Sequence, residues 1–138
     1  MWKLFDYKDE NGKNLFAEWT RKKLQKTQRI KLRAKLDDLA KFGPELPPSL
    51  LMKTEVDYIY KLKVQGNPKL RPMLCFGIFF IKDLETGLEK REEAFTLLVG
   101  AKEISNEFEP KDADIEAAIR REKILADPNR RVKHERID

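Results

Sequence analysis

Four cations lie at positions where side chains from different strands would meet. Lys61 and Lys63 stand two residues apart in Tyr60-Lys61-Leu62-Lys63-Val64, and strand side chains alternate, so both fall on one face. Arg71 opens the next apolar run, just beyond the Gly66-Asn67 turn, and Lys102 closes the run after that. Fixed cations at a sheet edge suit phosphate chemistry. Arginine offers a planar fork for two oxygens, and lysine offers a point charge or, when desolvated, a base. Ordinary exposed strand residues would show the same spacing.

A second cationic feature is denser. Residues 20–35 carry eight Lys or Arg side chains and no acidic residue, among them Arg21, Lys22, Lys23, Lys26, Arg29, Lys31 and Arg33. Residues 1–42 hold 12 basic and 6 acidic groups, whereas residues 92–138 hold 9 and 12. The positive charge is therefore local, as a polyanionic partner such as RNA would require. A solvated helix face is the bland alternative.

Much chemistry is excluded. One His and one Cys cannot build a zinc site, and no Gly-rich phosphate loop or serine-hydrolase motif occurs. His134 lies in a tail without core pattern and is expected to be solvated. Cys75, between Leu74 and Phe76, is expected to be a small core residue. No apolar run is long enough for a membrane span, no secretory leader is visible at Met1, and a lone cysteine fits a reducing compartment. On these features the chain is expected to be cytoplasmic, with no cofactor and no membrane partner.

The elements that must position these cations follow from periodicity. Trp2 to Tyr7 reads as a strand, and Asp9 to Gly12 as a turn. Asn14 is a candidate N-cap for a first helix with Leu15, Phe16 and Trp19 on one side. A second helix from Thr27 to Phe42 has the stripe Leu32, Leu36, Leu39 and Ala40, stopped by Gly43-Pro44. Strands follow at Val56 to Val64, Leu70 to Ile81 and Ala94 to Ala101, with a long polar hairpin loop from Lys82 to Glu93. The middle strand is continuously apolar after Arg71, so it should be central and covered on both faces. Pro110 to Leu125 is a last helix, and residues 126–138 are expected to be a flexible basic tail. The order predicts an α+β domain over residues 1–125: an N-terminal helical hairpin packed on a small antiparallel sheet in two layers, with a C-terminal helix.

In that order, several segments resemble the RelE/HigB/ParE superfamily of toxins, most closely its phage-derived HigB-like branch. They are Phe16-Ala17-Glu18-Trp19, Arg33 to Leu39, Tyr60 to Val64, Leu70 to Phe76, Leu97 to Lys102 and Asp114 to Ala118. The resemblance covers about residues 14–125. It implies a RelE-like fold and a ribosome-dependent, metal-independent endoribonuclease that cleaves mRNA by 2′-OH attack on the adjacent phosphate. It also implies a cognate antitoxin, with the ribosome and mRNA as further partners. By position, Arg71 would hold the phosphate in the transition state, Lys61 or Lys63 would act electrostatically or as base, and Lys102 matches the first Lys of the family's paired lysines. The second is Glu103 here. The superfamily also contains ParE-like topoisomerase inhibitors, and a catalytically inactive prophage-derived binding module is a third reading.

Overall fold

The computed structural model describes residues 1–138. Strand β1 (Lys3–Tyr7) is followed by helix α1 (Leu15–Lys23) and helix α2 (Lys26–Phe42). Asn14 caps α1 as its sequence position predicts, its Oδ1 accepting from the Ala17 N–H at 3.0 Å. Helix α2 ends at Gly43, whose N–H bonds the Leu39 carbonyl at φ +58°. A Cβ there would fall 2.3 Å from the Trp2 indole, so both the turn and the packing of Trp2 require glycine.

Short strands come next: β2 (Leu51–Lys53), β3 (Tyr60–Leu62), β4 (Lys69–Leu70), β5 (Met73–Phe76), β6 (Phe80–Lys82) and β7 (Glu89–Arg91). The strand expected from Val56 to Val64 shrinks to Tyr60–Leu62, because Tyr58 adopts φ +69° and leaves the ladder. The long apolar strand is broken into three. Pro72 lacks the N–H that the ladder needs, and Gly77 turns the backbone at φ +35°. Its centre, β5, is covered on both faces as expected. The expected Lys82–Glu93 loop contains a strand, β7, which pairs with β6 in a hairpin whose tip is residues 83–88.

Strand β8 (Ala94–Val99) is fully buried. A second hairpin, β9 (Lys102–Ile104) and β10 (Glu107–Glu109), precedes helix α3 (Ala113–Ala126) and strand β11 (Arg131–Lys133). The main sheet runs β11-β1-β8-β5-β3-β2, and β4, β9 and β10 form a small side sheet. Most pairings are antiparallel, but β1 lies parallel to β8, with Lys3 opposite Ala94. The α+β class holds, while the purely antiparallel sheet does not.

The expected two layers are three. Helices α1 and α2 cover one face, where Phe16, Leu32, Leu36 and Leu39 pack on Leu74, Phe95 and Leu97. Helix α3 covers the other, with Ala113, Ala117 and Ile124 against Met73, Cys75 and Leu98. Each fully buried Leu or Phe contributes roughly 1.5–3 kcal/mol. Cys75 is 0% exposed, and burial pushes its thiol up to about 12. The folded protein is therefore expected to resist iodoacetamide at pH 8 and to be alkylated only on unfolding, read by intact mass.

The tail corrects another expectation. Strand β11 pairs antiparallel with β1, Tyr7 facing Arg131, and Ile137 is buried in the α1–α2 core. His134 is not a solvated residue. Its Nδ1 lies 2.8 Å from Oδ1 of the fully buried Asp6, whose Oδ2 accepts from Asn14 Nδ2 (2.7 Å) and the Glu135 N–H (3.0 Å). Residues 131–137 thus belong to the sheet and its core. No helix is long and apolar enough to cross a membrane.

Candidate nucleic-acid interface

The basic run forms the corner where α1 ends and α2 begins, and the corner sorts its cations by type. The arginines hold the tail. Arg21 Nη1 pairs with Glu135 at 2.9 Å, Arg29 Nε donates to the Asp138 main-chain oxygen at 3.2 Å, and Arg33 Nη1 donates to the Ile137 carbonyl at 3.3 Å. Arg29 Nη1 also bonds the Leu24 carbonyl at 2.6 Å, satisfying an acceptor left open where α1 stops.

The lysines face outward. Lys22 pairs with Glu18 at 2.7 Å, and its hydrogen bond and charge hold that exposed carboxyl below the usual glutamate range. Lys23, Lys26 and Lys31 are exposed and have no acidic partner within 4.0 Å. The seven cations expected to bind nucleic acid therefore divide into three engaged arginines, one paired lysine and three free lysines.

The strand cations do not converge on one point. Arg71 is buried, with Nε donating to Glu103 Oε2 at 2.9 Å and Nη1 to the Leu70 carbonyl at 2.9 Å. Lys61 Nζ lies 5.5 Å from the centre of the Phe108 ring, and Phe108 sits opposite Glu103 across the β9–β10 ladder. Arg71, Glu103, Phe108 and Lys61 thus form one connected group. Lys102 precedes Glu103 on β9 and so points to the other face, where its Nζ donates to the Lys23 carbonyl at 3.1 Å. Lys63 lies past the end of β3, half-buried, with its N–H on the Leu50 carbonyl, and joins neither group.

In this arrangement the Arg71 guanidinium meets a carboxylate rather than solvent. A phosphate would have to displace Glu103 to reach its fork. Replacing Glu103 by alanine leaves a buried cation without its partner, so urea unfolding is expected to show a loss near the low end of the roughly 3–5 kcal/mol typical of such breaks. Glu103 is partly exposed, which places the loss at that end.

Sequence reasoning passed over a cleft of about 440 Å³ between α1, the β8–β9 turn and α3. Leu15, Trp19 and Val99 make its apolar floor. Lys22, Lys23, Lys102 and Arg120 rim it, together with Glu18 and Glu109. The Trp19 ring lies against Gly100, where an added Cβ would come within 2.0 Å of it, so only glycine admits the indole there. Arg120 is fixed by its bonds to the Leu98 carbonyl (2.7 Å) and Glu116 (3.1 Å). The visible signal was Trp19 itself, a large aromatic placed on the same helix as the basic run. No family model, curated protein or solved structure matches this chain.

Proposed function

We propose that the protein is an RNA-binding inhibitor of the RelE/HigB/ParE toxin type, directed at ribosomal or messenger RNA and restrained by a partner antitoxin. It acts by occupying RNA rather than by cutting it through Arg71. The observation that carries this reading is the division of the basic corner: Lys23, Lys26 and Lys31 remain exposed and unpaired, while Arg71 is buried against Glu103. Exposed lysines without acidic partners suit the phosphate backbone, which is contacted largely without regard to sequence. The helical pair followed by strands and helix α3 is the element order that the resemblance implies, while the parallel β1–β8 pair, the third layer and strand β11 depart from it. Cleavage by 2′-OH attack would need a free cation at the phosphate, and the Arg71–Glu103 pair speaks against Arg71 in that role.

The test is inducible expression of the wild type and of Arg71→Ala, reading growth, ribosome association and the 5′ ends of cellular mRNAs. Salt-sensitive association and slowed growth without new mRNA ends are expected from the wild type. New in-frame ends that disappear in Arg71→Ala would replace this reading with an mRNA interferase. Slowed growth with no RNA association would point to a topoisomerase or another protein target.

A further inference from the structure

The Trp19 cleft meets the basic corner at Lys23. Lys23 stands on the cleft rim and also ends α1, with two residues between it and the start of α2 at Lys26. A polyanionic strand lying along the lysines therefore passes the mouth of the cleft.

The cleft is suited to a flat aromatic group carrying negative charge. Its floor is apolar and includes an indole held in place by Gly100 on one side and by Phe16, whose ring centre is 5.6 Å away at 39°. Of its four rim cations, Lys22 is paired with Glu18 and Arg120 with Glu116, which leaves Lys23 and Lys102 without a carboxylate partner, facing Glu109 alone. Lys102 is pinned at the end of α1 by the Lys23 carbonyl, so its charge is fixed at the opening. The volume lies in the range of small-ligand sites. A paired base keeps its faces inside the duplex stack and cannot enter such a recess, whereas an unpaired base can be splayed onto an aromatic ring.

We propose that this cleft takes one unpaired nucleotide of a single-stranded RNA, its base against Trp19 and its phosphate between Lys23 and Lys102. This rests on the RNA-binding reading above and adds to it a preference for single strands.

The test measures fluorescence anisotropy of a labelled decauridylate and of a duplex RNA of equal length. The proteins are the wild type, Trp19→Leu, Lys102→Glu and a triple variant with Lys23, Lys26 and Lys31 changed to alanine. Decauridylate affinity is expected to fall at least tenfold in Trp19→Leu and Lys102→Glu, with duplex affinity changed much less in Trp19→Leu. Circular dichroism checks folding. Lys102→Glu, on the cleft rim, decides the matter if Trp19→Leu is unfolded. Unchanged decauridylate binding in both cleft variants, with loss in the triple variant, overturns the cleft and leaves the RNA reading standing. Absence of binding to either RNA by the wild type overturns both.

Discussion

Replacing Arg131 by leucine is expected to destabilise the protein by about 3–5 kcal/mol. The guanidinium of Arg131 lies between two rings, 4.0 Å from the centre of Phe5 and 4.9 Å from that of Phe79. It meets both carboxylate oxygens of Glu92, through Nη1 and through Nη2 at 3.0 Å, and the Ile78 N–H adds a third bond to the same carboxylate at 3.0 Å. Both charged side chains are only 10% exposed. Removing the arginine therefore strands a buried carboxylate, and that orphaned charge accounts for most of the cost. Urea unfolding should show it directly. A double variant with Glu92→Leu as well should recover much of the loss, since no unpaired charge then remains; failure to recover would mean that Arg131 acts mainly by packing between the rings.

The same pair sets an acid limit. Burial pushes the Glu92 carboxyl up, but the hydrogen bond and charge of Arg131, helped by the Ile78 and Phe79 N–H groups, outweigh it and hold the group below its ordinary value. A depressed folded-state value means that the stabilisation is complete above the unfolded glutamate value, about 4.3. It is lost as pH falls through the lower folded value. Midpoints of unfolding followed from pH 6 to 2 should fall steeply in the wild type and less steeply in the double variant.

Changing Lys23, Lys26 and Lys31 together to alanine is expected to abolish most RNA association at physiological salt. Each lost phosphate contact lowers the slope of log affinity against log salt by about 0.7 for a single strand, so the triple variant should be flatter by about 2. The arginines of the same run predict a different outcome. Arg21, Arg29 and Arg33 hold the tail, so their replacement should lower the melting temperature while leaving the salt slope nearly intact. A salt slope that responds to the arginines and not to the lysines would place the RNA elsewhere.

That division was not legible in the sequence, where the eight cations look alike. What separates them is the tail, more than 100 residues away, and nothing local in Glu135 or Ile137 announces its destination. Local patterns were read well: the Asn14 cap, the Leu32, Leu36 and Leu39 stripe, and the Gly43 stop each depend on neighbours within a few residues. The strand at Tyr60 was placed by alternation but overrun at Tyr58, because a positive φ leaves no trace in hydropathy. The β9–β10 hairpin was missed, since Ser105-Asn106 is a weak turn signal between two charged three-residue strands. Arg71 and Lys102 looked like neighbours at one sheet edge. The pleat sends Lys102 and Glu103 to opposite faces, and the carboxylate that meets Arg71 is the residue beside the expected lysine.

The pairing of β1 with both β8 and β11 joins segments far apart in sequence, and translation delivers them apart in time. At roughly 5–20 residues per second, on the order of ten seconds separate the synthesis of Tyr7 from that of Arg131. During that interval Arg21, Arg29 and Arg33 have no tail to hold. Residues 131–138 then cover those three guanidinium groups. A premature stop before Arg131 would freeze the earlier state, with three extra uncovered guanidinium groups and an open edge along β1.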